Sequence, residues 1–172
     1  IKSKEVSLQI DGKDYHPNEV IPKKLIAYLP QHNFLPQNSK VRDVIPLYFH
    51  DSDSQNKVFY APNMASFHNK LVKTLSMGER RYLELLLVIN LPQPFLLLDE
   101  PFSMIEPRYV ELIKQVILEA KKTKGIIISD HYYKDVLSIS DHFFLLKEGK
   151  LTSIDSEDDL RAKGYLPNKA QG

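Results

Sequence analysis

Phe95-Leu96-Leu97-Leu98-Asp99-Glu100-Pro101 is the stretch that decides the fold. An apolar run meets two adjacent carboxylates, and a proline follows. A short continuous apolar run is the pattern of a strand buried on both faces, as in parallel sheets. Pro101 has no N–H to give a ladder, so the strand is predicted to stop at the acids. Asp99 and Glu100 then stand at the carboxyl end of a central strand, where open α/β sheets bind ligands. One acid is suited to hold Mg2+, directly or through water, because Mg2+ takes oxygen ligands and keeps several waters. The other is suited to orient or deprotonate a water. The structural alternative is a buried strand ending in two solvated acids.

On the amino-terminal side of this strand, Ser76-Met77-Gly78-Glu79 opens the longest helical pattern. Ser76 and Glu79 fit a Ser-x-x-Glu capping box, and Tyr82, Leu83, Leu86, Leu87 and Asn90 follow in helical order before Pro92. An ordinary capped helix accounts for this. A helix start is also an anion site, and Gly78 leaves room for a phosphate near the backbone. On the carboxyl side, Pro107 fits the first turn of a helix carrying Val110, Ile113, Val116, Ile117 and Ala120, ended by Gly125. Ile126 to Asp130 reads as another buried strand, with His131 just past its end. Strand, helix, strand with short links is a βαβ unit, so the two strands are predicted to be parallel. His131 then shares a rim of the sheet with Asp99 and Glu100. A short helix over 134–139 follows, then a hairpin from Phe143–Leu146 to Leu151–Ile154 around Glu148-Gly149-Lys150. Ser156 and Asp159 point to a last short helix ended by Gly164, and the tail from Pro167 reads as disordered.

Upstream, Val6, Leu8 and Ile10 alternate with polar residues and give a half-buried antiparallel strand closed at Asp11-Gly12. Lys13 to Pro22 reads as a loop. Leu25 to Leu29 reads as a buried strand that delivers Gln31 to its carboxyl end. Asn38 or Ser39 is a candidate cap for a short helix with Val41, Val44 and Ile45, perturbed by Pro46. Asp51 to Lys57 is polar and exposed. Phe67, Leu71, Val72 and Leu75 recur at helical spacing, so a helix is predicted over about 65–75. The four segments are residues 1–37 (β part and Gln31 strand), 38–75 (small helical insert), 76–155 (core) and 156–172 (last helix and tail).

The chain has 172 residues and reads as one domain, or as one domain with a small subdomain. A hydrophobic content of 42% supplies a core. A net charge of +1 without a long basic run gives no footprint for nucleic acid, and none is expected as a partner. The absence of cysteine excludes disulfides and thiolate metal sites. No apolar run reaches membrane-spanning length.

Taken in order, Tyr28-Leu29-Pro30-Gln31, Leu75-Ser76-Met77-Gly78-Glu79, Phe95 to Pro101 and Ser129-Asp130-His131 resemble the nucleotide-binding domain of ABC ATPases. Gln31 matches the Q-loop glutamine. Leu75 to Glu79 resembles the family signature, usually Leu-Ser-Gly-Gly-Gln. Phe95 to Glu100 resembles a Walker B strand with its catalytic glutamate. Ser103-Met104-Ile105-Glu106 sits where the D-loop belongs, and His131 matches the H-loop. The resemblance covers about residues 3–155. Met77, Glu79 and Glu106 depart from the usual residues, and Glu79 adds negative charge at the helix start unless it is turned away in its cap. No Gly-x-x-x-x-Gly-Lys-Ser/Thr loop is present. In this family that loop precedes the Q-loop strand, so an N-terminally incomplete domain is expected, inactive and a poor ATP binder alone.

The resemblance implies an α/β fold: a P-loop NTPase-like parallel sheet with flanking helices, a small antiparallel β part at the N-terminus and a short helical insert. It implies ATP and Mg2+, with Asp99 and Gln31 toward the metal and Glu100 and His131 as catalytic residues. Gln31, Ser76, Met77, Gly78, Glu79, Ser103 and Glu106 would take part in nucleotide binding across a head-to-tail dimer with a second ABC ATPase domain, identical or not. It further implies a transmembrane permease partner and a cytoplasmic place on the inner membrane face. The alternatives are a soluble ABC ATPase without a membrane partner and a non-catalytic interaction domain derived from one.

Overall fold

A computed structural model describes residues 8–167. Val6 and the tail from residue 168 onward lie outside the described residues. The chain divides into two compact units, Ile1–Tyr132 and Tyr133–Gly172.

The first unit is built on a parallel sheet of β3 (Ile26–Leu29), β4 (Phe95–Asp99) and β5 (Gly125–Ser129), in the order β3-β4-β5. Leu29 lies opposite Leu98, and Asp99 opposite Ser129, so the carboxyl ends of the strands are level. Leu29, Leu96 and Leu98 are fully buried. β5, an edge strand of this sheet among the described residues, is less covered than a buried-strand pattern predicts: Ile127 is 67% exposed. Helix α3 (Met77–Ile89) is buried along nearly its whole body, as a core helix with apolar residues on several faces should be. Helix α4 (Pro107–Ala120) starts on its proline and buries Tyr109, Ile113 and Ile117 on one stripe. The Tyr82 and Tyr109 rings join the two helices with centroids 5.9 Å apart. α4 stops at Ala120 rather than at Gly125, which instead opens β5, where a Cβ would press on the Phe95 ring.

Elsewhere in this unit the sequence reading needs correction. Lys13 to Pro22 is not all loop: β2 (Lys13–Tyr15) pairs antiparallel with β1 (Leu8–Ile10) through Asp11 and Gly12, both at positive φ. Helix α1 (Val41–Tyr48) includes Pro46, and its N-cap is Lys40 with no side-chain bond, not Asn38 or Ser39. Helix α2 (Ser52–Phe59) forms in the polar stretch because the Asp51 carboxylate accepts from Ser54 N–H at 2.7 Å. No α-helix forms over 65–75. That segment holds two 3-10 turns, Met64–Ser66 and Val72–Thr74. Its backbone bonds go to residues 37–42 instead, as in Val41 N–H to Lys70 O, Val72 N–H to Ser39 O and the Lys40–Leu71 bridge. Phe67, Val72 and Leu75 are nevertheless buried.

The second unit carries α5 (Tyr133–Ile139), the antiparallel hairpin of β6 (Phe143–Lys147) and β7 (Lys150–Ile154), and α6 (Glu157–Ala162). Glu148 and Gly149 turn the hairpin at positive φ, and Ser156 and Asp159 form the α6 capping box. Leu145, Ile154 and Leu160 make its core, covered by Leu137 and Phe143.

Candidate functional site

The end of β4 turns sharply. Glu100 adopts φ +50°, a left-handed conformation uncommon for a residue with a side chain, and its N–H donates to Ser129 O at 2.6 Å. The turn separates the two acids. Asp99 faces β3, where the Tyr28 hydroxyl donates to its Oδ2 at 3.0 Å. Glu100 faces the loop after β3. Its Oε2 accepts from Gln31 Nε2 at 2.7 Å and from the Ser103 hydroxyl at 2.9 Å. On its other side, His131 Nε2 lies 3.2 Å from Oε1. Residues 31, 100, 103 and 131 thus meet at one carboxylate. Level strand ends bring them there. The Ser103 hydroxyl holds the Glu100 carboxyl below the usual carboxylate range, helped by the Gln31 amide and by His131, against a smaller opposing effect of burial. A cavity of about 250 Å³ opens beside it, lined by Gln31, Met77, Arg80, Glu100, Ser103 and Met104. A larger apolar groove of about 400 Å³ along Ile26, Tyr28, Phe34 and Leu91 contains neither acid.

Asp130 braces the loops around this point. Its Oδ2 accepts from Phe102 N–H at 2.8 Å and its Oδ1 from Tyr132 N–H at 2.9 Å, so it ties the segment after Glu100 to the segment after β5.

Ser76, Gly78, Glu79 and Glu106 gather at the starts of α3 and α4. Ser76 Oγ accepts from Glu79 N–H at 3.1 Å, and Glu79 Oε2 accepts from Ser76 N–H at 2.9 Å. Glu79 also pairs with Lys70 at 2.7 Å and is 6% exposed, so its charge is turned into the cap. Burial raises the Glu79 pKa, but the Lys70 ammonium and the Ser76 N–H outweigh it and leave the group below its ordinary value. The sequence reading gives Gly78 the task of admitting a phosphate. The space left by its missing Cβ is filled by protein: a Cβ there would overlap the Glu106 carboxylate and the Tyr109 ring. Met77 and Met104 are exposed by 56% and 72%.

Three contacts escaped the sequence reading. Tyr28 on Asp99 has no local signal, because the pairing depends on strand register. The sequence places Ser103 in the D-loop, but its bond to Glu100 depends on the turn at residue 100. Arg81 reaches the carbonyls of Pro30, Asp99 and Glu100, and its signal was present: an arginine three residues before Glu84, inside a buried helix.

For Mg2+, the donors on offer are the Asp99 carboxylate and the Gln31 side-chain carbonyl, both hard oxygens. No group of three ligating side chains occurs among the described residues. Oxygen ligands of this kind suit Mg2+; here the Asp99 carboxylate is engaged by the Tyr28 hydroxyl and the Gln31 amide nitrogen by Glu100. No helix among the described residues is long and apolar enough to cross a membrane.

Comparison with known proteins bears on the family and the fold. Residues 1–103 match the profile of the ABC transporter family. The uncharacterized ABC transporter ATP-binding protein MJ1023 of Methanocaldococcus jannaschii is 28% identical over 152 residues, 82% of this chain and 58% of that protein. The thiamine import ATP-binding protein ThiQ of Vibrio parahaemolyticus is 27% identical over 166 residues, 91% of this chain and 70% of that protein. The chain therefore spans only part of the length of these relatives. A solved ATP-binding subunit of an ABC transporter superposes with a TM-score of 0.75 at 17% identity, over 95% of this chain and 72% of that one, which shows a shared fold. With its parallel sheet, flanking helices and small antiparallel strands, and with most of its length matched by the family profile, the chain belongs to the ABC transporter family and carries the core of an ABC ATPase domain.

Proposed function

We propose that the protein hydrolyses ATP as the ATP-binding subunit of an ABC transporter, with Glu100 as the group that polarises the attacking water. The observation that carries this reading is the convergence of Gln31, Ser103 and His131 on the Glu100 carboxylate. A carboxylate held ionised at the rim of a parallel sheet is available to take a water proton. Ser103 and Gln31 fix its orientation. His131, with its side chain 80% exposed, is free to turn from Glu100 to a terminal phosphate and stabilise charge there. Asp99 and Gln31 would hold Mg2+, which neutralises phosphate charge when bound. Ser76, Met77 and Glu106 would form the face presented to ATP on a second ABC ATPase domain, with the buried Gly78 and Glu79 shaping the helix start behind them, and the exposed Met77 and Met104 fit a surface that is covered in a dimer. A transmembrane permease on the inner face of the membrane would use the closing and opening of that dimer.

The test is ATP-dependent association of the full-length protein. With Glu100→Gln, light scattering should report a dimer that persists in MgATP and dissociates in MgADP. A monomer under both conditions would contradict the dimer reading.

A further inference from the structure

We infer that Arg81 is a positioning residue that holds the Gln31–Glu100 pair in register through the backbone on both sides. This rests on the proposed role of Glu100. The guanidinium donates from Nη1 to Pro30 O at 2.7 Å, and from Nη2 to Asp99 O and to Glu100 O, the latter at 3.2 Å. Pro30 is the residue before Gln31. One side chain therefore grips the peptide next to each partner of the 2.7 Å Gln31–Glu100 bond. A planar fork with five donors holds carbonyls on two segments at once in one fixed geometry, whereas an ammonium donates from a single atom without that planar constraint.

Two further observations fit this role. Glu100 sits at φ +50°, and such a conformation persists where the surroundings hold it in place; its own carbonyl and that of Asp99 are the groups Arg81 takes. The grip is also rigid. Arg81 is 7% exposed, and Nη1 lies 3.3 Å from Glu84 Oε2, itself fully buried, so the guanidinium charge is balanced inside the protein. Arg81 lies on α3, the helix that begins at the Ser76 cap. The helix start and the carboxylate are thereby linked through a single side chain.

A buried charge pair also contributes to folding, so the test separates the two roles in the full-length protein. In Arg81→Met, Glu84 is left buried without its partner, and the melting temperature should fall. The double variant Arg81→Met/Glu84→Leu removes both charges and should recover most of it. Its kcat for ATP should nevertheless stay about tenfold or more below the parent, with KM within about twofold, because misplacing a reacting group costs rate. Arg81→Lys keeps a charge beside Glu84 and should fold, with kcat lowered in the same way. In crystals of the double variant, or of Arg81→Lys if only that one folds, residue 100 should leave the left-handed region or the Gln31–Glu100 bond should open. Parental kcat in the stable variants would overturn the proposal. So would unchanged φ at residue 100 together with an intact Gln31–Glu100 bond. The crystallographic readout holds even if the parent proves to hydrolyse no ATP, an outcome that would remove the proposed function alone.

Discussion

Gln31 and Glu100 are 69 positions apart in sequence and 2.7 Å apart in space, amide nitrogen to carboxylate oxygen. Parallel register produces this contact. With Leu29 opposite Leu98, Gln31 comes level with Glu100 just beyond the two strands, and the turn at Glu100 aims its side chain toward the loop after β3. The Ser103 hydroxyl then completes the set on the same oxygen.

Removing that hydroxyl should misalign the carboxylate without removing it. Hydrogen bonds to charged groups are the stronger ones, but at a solvent-facing rim their contribution to stability is largely screened. Ser103→Ala is expected to lower kcat by about tenfold or more, with a small change in melting temperature, since the site lies at a solvent-facing rim. Phosphate release by the full-length protein measures it. An unchanged kcat would remove Ser103 from the positioning of Glu100.

Gly78→Ala tests the packing of α3 on the start of α4. The added methyl must displace the Glu106 carboxylate and the Tyr109 ring, and overpacking of this kind costs about 1–3 kcal/mol. Urea unfolding should show a lower midpoint with an unchanged slope. A midpoint equal to the parent's would mean that the helices part easily here, leaving Gly78 open to other contacts.

The Glu79 cap makes stability depend on pH in a defined direction. Its folded pKa lies below the ordinary value of 4.5, so the unfolded chain takes up its proton first as pH falls. The contribution is fully present above that ordinary value and is lost as pH falls through the folded one. Lys70→Met removes the strongest influence holding the folded value down. The acid-unfolding midpoint followed by circular dichroism should move to higher pH. A midpoint that stays in place would show that the Ser76 N–H and the Arg108 charge sustain the shift without Lys70.

Much of this arrangement is legible in the sequence. The apolar runs ending at Asp99 and at Asp130, punctuated by Pro101 and Gly125, are local signals, and both strands follow them. Ser76 and Glu79 announce a helix start because the capping box is written in four consecutive residues. From the rank of two parallel strand ends, the meeting of His131 with Glu100 followed. What failed did so for non-local reasons. Phe67, Val72 and Leu75 carry helical spacing, yet their backbone is bonded to residues 37–42, and periodicity cannot reveal that choice. α2 has one buried residue, Val58, so no apolar stripe marks it, and only the Asp51 cap betrays it. Arg81 in the core reads as an anomaly until the carbonyls it serves are known.

The most direct test of the account is single-turnover release of phosphate from MgATP by the full-length protein carrying Glu100→Gln. Glutamine keeps the shape and loses the basicity, and a general base contributes about 10²–10⁴-fold to rate. The account predicts that nucleotide binding is retained while the hydrolytic rate falls by at least about a hundredfold. Hydrolysis at the parental rate would contradict it, and would move the chemistry away from the carboxylate on which Gln31, Ser103 and His131 converge.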